Sequence, residues 1–200
     1  MGENINIEII QTMLKDNNGV ITTKQVTKNG IHRMYLKIMV EKGFVEKISN
    51  GIYIDSRNFN DVYYSFQLRY PKTIFARMTA LYFYGLTEVY PNSFDLTTRN
   101  NYHVDDINKN HLVMKCNDEI IEIGITKVKT PMGNLINAYD PERCICDIIK
   151  FRHKLDLEQV KKSVKMYLNS QYRNLDKLID YSKKLKIYND VMEFVGMYYE

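Results

Sequence analysis

No stretch of the sequence approaches the roughly 20 consecutive apolar residues that a membrane-spanning helix needs, so a membrane partner is not expected. The first ten residues, MGENINIEII, lack the basic and apolar regions of a signal peptide, which points to a cytoplasmic protein. Cysteine is scarce: Cys116, Cys144 and Cys146 are an odd number without framework spacing, so reduced thiols are expected rather than a disulfide scaffold. Cys144-Ile145-Cys146 is a C-x-C with no histidine at zinc-finger spacing, and no metal site is expected from it. No P-loop, Rossmann fingerprint or kinase signature occurs. A strong excess of one charge is also missing. The formal net charge of +4 and pI near 8.8 permit a nucleic-acid partner without demanding one.

What is present describes an ordinary globular chain, 44% hydrophobic and 26% charged, with room in 200 residues for one large or two small domains. Val20 to Ile54 reads as helix, turn, helix and two-stranded ribbon. Thr22 or Thr23 can cap a helix over Lys24 to Lys28, since a threonine oxygen accepts from the free amides of a first turn. Asn29-Gly30 stops it. A second helix is predicted from His32 to Lys42, with Leu36, Met39 and Val40 at i, i+3, i+4 as its buried stripe, and Gly43 ends it. Phe44 to Ile48 and Ile52 to Ile54 flank Ser49-Asn50-Gly51. Asn-Gly favours positive φ at both positions and is the strongest hairpin signal in the chain. Two short helices, a tight glycine turn and a hairpin make a winged helix-turn-helix. Ahead of it, Ile5 to Lys15 is a predicted helix with Ile5, Ile9, Ile10, Met13 and Leu14 as its apolar stripe.

After a turn near Asp55 the chain continues as a second domain. Helices are predicted over Asp61–Arg69 and Met78–Tyr84, with Thr73 to Ala76 ambiguous. Strands are predicted over Phe94–Arg99, Leu112–Cys116, Ile120–Lys129 and Leu135–Ala138. In the third of these Ile121, Ile123 and Ile125 alternate as a buried face. Asp140 at N-cap and Pro141 at N1 open a helix to Phe151. Helices over Leu157–Leu168, Asn174–Leu185 and Ile187–Tyr199 follow. The expected fold is α+β: a winged helix-turn-helix over residues 1–56, then a larger mixed sheet and helix domain over 60–200 ending in C-terminal helices.

Four segments together carry a family resemblance: the wing exit Asn50-Gly51-Ile52-Tyr53, RYPKTIFARMTALYFYGLT from Arg69 to Thr87, the strand DLTTR, and NLINAYDPERCICDIIKF from Asn134 to Phe151. In this order they resemble AbiEi, the antitoxin of the AbiE abortive-infection systems, a phage-defence class of type IV toxin–antitoxin system. The T-A-L-Y-x-x-G-L and Y-D-x-E-R-x-x-C-D segments are the more specific ones. One departure is Ala76-Arg77, where family members often carry a Ser-His type pair. The resemblance implies a transcription regulator whose N-terminal domain binds inverted repeats of double-stranded DNA in its own promoter as a repressor. It implies a C-terminal domain that counters a nucleotidyltransferase-like toxin without forming a stable complex with it.

The candidate DNA contacts lie in the N-terminal segment. With Leu36, Met39 and Val40 inward, His32, Arg33 and Lys37 face out. Arg33 and Lys37 are one turn apart, suited to a guanine edge and a phosphate; the plain alternative is a solvated face. Tyr35 packs against the first helix or reaches a phosphate, and Ile38 is expected near the surface or under the wing. Thr22, Thr23 and Lys24 open the preceding helix, where free amides can meet a phosphate or simply be capped. Lys47, Ser49 and Asn50 suit the backbone or minor groove, or a plain hairpin. Residues 1–55 are near neutral, which implies self-association or paired sites on DNA.

A second basic set, Lys161, Lys162, Lys165, Arg173 and Lys177, with neighbours Lys154, Lys183, Lys184 and Lys186, suits a further nucleic-acid surface or a solvated helix face. Catalytic candidates are thin, and no catalytic residue or cofactor is expected. His103 with Asp105 and Asp106 reads as a polar loop. Asp140, Glu142, Arg143 and Asp147 read as an N-cap with a structural ion pair, or as part of an antitoxic surface. Two other readings stay open: a ligand-responsive winged-helix regulator with a pocket at Tyr82, Phe83, Tyr84 and Tyr90, or a nucleic-acid-processing enzyme.

Overall fold

The computed structural model describes residues 2–102 and 107–198, beginning with helix α1, Gly2–Asp16. Its buried stripe is Ile7, Ile10 and Leu14. Ile5 and Ile9, expected inside, are exposed: at 3.6 residues per turn they fall on the far side from that stripe. Strand β1 (Val20–Thr22), helices α2 (Thr23–Lys28) and α3 (Met34–Glu41), and strands β2 (Val45–Ser49) and β3 (Ile52–Asp55) follow. The strands form one sheet in the order β1-β3-β2, antiparallel throughout. Strand β1 is an addition to the expected elements, because three residues are too few to show an alternation.

Helix α3 starts two residues later than expected and is turned about its axis. Leu36 and Met39 are buried, but Val40 is exposed, while Ile38 and Tyr35 are half-buried against the core. Tyr35 shares the inner side with Leu36 and Met39, and that rotates Val40 outward. The hairpin has the expected two-residue turn, yet only Gly51 takes positive φ (74°). The ladder absorbs the difference by shifting register between Lys47 and Ser49.

Each face of this sheet has its own apolar cluster, as the two-residue period of a strand dictates. Ile21 and Val45 join Ile7, Ile10, Leu14, Val26, Leu36 and Met39. Val20, Ile52 and Ile54 meet Tyr64 and Leu68 of helix α4 (Val62–Arg69). Asp61 caps α4: one carboxylate oxygen accepts from the Tyr64 amide at 3.0 Å. The other accepts from Thr130 Oγ1 at 2.5 Å and Asn134 Nδ2 at 2.9 Å. The N-terminal compact unit accordingly comprises residues 1–71 with 129–136, whereas the sequence placed the boundary between 56 and 60.

The second unit comprises residues 72–128 and 137–200. In chain order the elements after α4 are β4 (Ile74–Phe75), α5 (Arg77–Phe83), β5 (Asp95–Arg99), α6 (Ile107–Asn110), β6 (Leu112–Cys116), α7 (Asp118–Ile121), β7 (Ile125–Lys129) and β8 (Leu135–Tyr139), the last residue of β7 and the first two of β8 counting with the first unit. Helices α8 (Pro141–Lys150), α9 (Leu157–Leu168), α10 (Leu175–Lys184) and α11 (Tyr188–Gly196) complete the second unit. The sheet order is β6-β5-β4-β8-β7, with β4 antiparallel to β5 and parallel to β8, and β5 parallel to β6. The ambiguous Thr73–Ala76 segment is thus a short strand. Asp140 caps α8 as the sequence indicated and Asp156 caps α9, while Asn174, expected as the first residue of its helix, is the side-chain cap of α10.

The strand expected over Ile120–Lys129 exists only from Ile125 onward, and Ile125 is exposed. Asn117 caps α7 instead, and the chain then turns at Gly124 with φ +83°. Arg143, a buried side chain of α8, pins that turn by donating from Nη1 to the carbonyls of Ile120 and Ile123, 2.7 Å each. Its Nε donates to Asp147 at 3.1 Å, and its guanidinium lies 4.3 Å from the Tyr139 ring centroid.

A Cβ on Gly124 would sit 2.7 Å from Arg143 Cβ, whereas one on Gly85 (φ +67°) meets nothing within 4 Å. Gly85→Ala is expected to cost about 1–2 kcal/mol from its left-handed backbone alone. Gly124→Ala adds overpacking of about 1–3 kcal/mol and should shift the urea midpoint clearly further. Equal shifts would contradict the close approach.

Candidate nucleic-acid interface

The N-terminal unit brings α2, α3 and the hairpin into one construction. Thr22 closes a capping box: its Oγ1 accepts from the Gln25 amide at 3.1 Å, and Gln25 Oε1 accepts from the Thr22 amide at 2.7 Å. The next amide, Thr23, donates to the Gly51 carbonyl at 2.8 Å. The start of α2 is therefore tied to the hairpin turn, and Lys24 and Asn50, both exposed, belong to directly bonded neighbours. Thr22 and Thr23 are half-buried; the Thr22 hydroxyl serves the capping box and the Thr23 amide the hairpin turn.

On α3, Arg33, Met34 and Lys37 are exposed. Arg33 has no acidic partner among the described residues, and Lys37 makes one loose pair with Glu41, 3.8 Å between two exposed side chains; such pairs contribute little. His32 is exposed, and its Nδ1 accepts from the Met34 amide at 3.2 Å just ahead of α3. Tyr35 packs against the core. Neither α2 nor α3 carries an acid in its first turn, so the positive ends of their dipoles stand uncompensated. On the hairpin Lys47 is exposed and Ser49 half-buried. Met34 and Lys28 are exposed residues of this construction that the sequence did not mark as candidate contacts.

The second basic set is largely matched by acids. Lys161 pairs with Glu158 at 2.9 Å, Lys162 with Glu88, and Lys177 with Asp140 at 3.0 Å and Glu142 at 3.5 Å. Arg173 donates to the Leu168 carbonyl at 3.1 Å, and Lys165 is exposed. The helices that bear these residues also begin with acids, Glu158 in α9 and Asp176 in α10. Burial works to lower the Lys177 pKa, but Asp140 and Glu142 outweigh it and hold the ammonium charged.

The acidic residues at the start of and within α8 are all hydrogen-bonded. Asp140 accepts from the Arg143 amide and from Tyr181 Oη at 3.1 Å, and Glu142 from Tyr167 Oη at 2.9 Å. Burial pushes the Asp147 carboxyl up against the opposing pull of Arg143. Burial also raises all three thiols, so none is a thiolate at neutral pH. Of the aromatic residues considered as a pocket, Tyr82 meets Phe83 and Tyr90 edge-on, and Tyr84 meets Tyr172 edge-on while donating to the Tyr139 carbonyl. Among the described residues no cluster of three metal-ligating side chains occurs, and no helix is long and apolar enough to cross a membrane. His103, Asp105 and Asp106 lie outside the described residues.

No family model and no curated protein matches the chain. Among solved structures it is similar to the RV2827C protein from Mycobacterium tuberculosis, with a TM-score of 0.62 and 12% sequence identity over 94% of this chain and 75% of that one. At that identity the likeness concerns the mixed α+β fold alone.

Thr22→Ala removes the cap and is expected to destabilise the N-terminal unit by about 1 kcal/mol, with Thr22→Ser near wild type in urea unfolding. A variant as stable as wild type would contradict the structural role.

Proposed function

We propose that the chain binds double-stranded DNA through a winged helix-turn-helix over residues 20–55, and that it is the autorepressor and antitoxin of a type IV toxin–antitoxin system. The DNA half is carried by one observation. Helix α3 buries Leu36 and Met39 and leaves Arg33, Met34 and Lys37 exposed, on a unit whose α2 start is bonded to the hairpin turn. In this reading α3 enters the major groove. Arg33 donates to a guanine edge, Lys37 to phosphate, and Met34 meets a thymine methyl. Lys24, Lys47 and Asn50 grip the flanking backbone.

Near-neutral charge over residues 1–55 makes a single unit a weak non-specific binder, which favours two copies on inverted repeats. The antitoxin half rests on the resemblance of residues 69–87 and 134–151 to AbiEi. Arg143 and Asp147 of that motif are buried, so contact with a toxin's target falls to other, exposed residues. The toxin is a functional partner in this reading and forms no stable complex.

The test is a gel-shift titration against the DNA upstream of the chain's own gene at two salt concentrations. A specific, salt-sensitive shift is expected. The double variant Arg33→Ala, Lys37→Ala should bind more weakly by about 1–3 kcal/mol for the guanine edge alone, with the fold intact. Normal binding by the double variant would contradict the assignment of α3.

A further inference from the structure

Arg77 is a long side chain in a conformation that long side chains rarely adopt. It opens α5 with φ +45°, in the left-handed region, and is 4% exposed. Such outliers persist where surrounding structure over-determines them, and they gather at ligand sites. Here the determinants are clear. Nε and Nη2 donate to Asp95 Oδ1 at 3.2 and 3.0 Å, and Nη2 also to the Leu112 carbonyl at 3.0 Å. The remaining nitrogen, Nη1, is buried and has no hydrogen-bond partner among the described residues. A guanidinium held on one edge and unmatched on the other is an anchored donor awaiting an acceptor.

Arg77 also forms part of the wall of a cavity of about 200 Å³. Lys154, exposed, is its second cation; Val113, Met114, Phe151 and Leu155 supply apolar surface, and among the described residues no acidic side chain lines it. The volume is below the roughly 300–1,000 Å³ of drug-sized sites, so an occupant must be small. Asp95 neutralises Arg77, so the uncompensated charge facing an occupant is that of Lys154. We propose that this cavity binds a small amphipathic anion, a carboxylate on a short apolar body, with Arg77 Nη1 donating to the carboxylate and Lys154 supplying the charge. The site lies wholly in the second unit and does not depend on the DNA-binding reading.

The probe is hexanoate, titrated into the full chain by calorimetry, with 1-hexanol and inorganic phosphate as comparisons. Saturable binding of hexanoate is expected, with the alcohol and phosphate each at least about tenfold weaker, since each lacks one half of the recognised chemistry. Lys154→Glu, at an exposed position that leaves the fold alone, should weaken hexanoate by about tenfold or more. Arg77→Lys should abolish it, and Lys154→Glu keeps the test decisive should that buried variant fail to fold. Absence of saturable binding, equal binding of the alcohol, or full binding by Lys154→Glu would each overturn the proposal.

Discussion

Strand β3 is paired on both edges, and the placement of α2, α3 and the hairpin in the N-terminal unit hangs from that pairing. On one edge Thr22 faces Ile52, and the chain leaves β1 directly into the capped start of α2. On the other, Val45 faces Asp55, which sets where the chain arrives from α3. The turn that joins β2 to β3 accepts the Thr23 amide at Gly51. Three elements distant in sequence are thereby held by backbone hydrogen bonds, which depend little on side-chain identity. Side chains on the outer surface are then free to be chosen for binding. A one-residue slip of β3 would reverse its faces and take Ile52 and Ile54 out of the cluster they form with Val20, so the register is strongly specified.

The second unit is organised differently, around a buried charge. Arg143 is 1% exposed, and each of its contacts is matched: Asp147, two carbonyls and the face of Tyr139. Removing one partner of such a pair strands the other in a poor solvent for charge, at about 3–5 kcal/mol. The same helix carries the most specific part of the AbiEi-like motif. Burial gives those residue types a structural reason to be there, independent of any role toward a toxin. Arg77 makes the contrast plain, since it is equally buried and paired yet leaves one nitrogen unmatched.

Local chemistry was legible in the sequence, and long-range chemistry was not. The caps at Thr22, Asp140 and Asp156 each act on an amide two or three residues away; Asp140 and Asp156 were legible directly, Thr22 as one of two adjacent threonines, and Asn174 only as the start of its helix. The Asn50-Gly51 hairpin was readable for the same reason, although its turn uses positive φ at Gly51 alone. The alternation Ile121, Ile123, Ile125 misled because the turn at Gly124 is imposed by Arg143, which lies 20 residues beyond Ile123. Val40 misled because Tyr35 counts as apolar on α3, and a tyrosine can go either way. Strand β1 needed its partner β3, more than thirty residues on, to be recognisable at all. For the candidate interface, the cations expected on the surface are exposed, while Thr22 and His32 each accept from a nearby amide and Tyr35 packs against the core. The strained backbone of Arg77 follows from Asp95, 18 residues away, and nothing in the local sequence announces it.

The most direct measurement is to follow backbone amide chemical shifts of the full chain while adding the duplex from upstream of its own gene. The account predicts shifts concentrated in residues 23–50, largest at the start of α3 and at Lys47 and Asn50, with α9 and α10 unmoved. Shifts confined to Lys161–Lys177, or the same response to unrelated DNA, would contradict the claim that the N-terminal unit reads DNA.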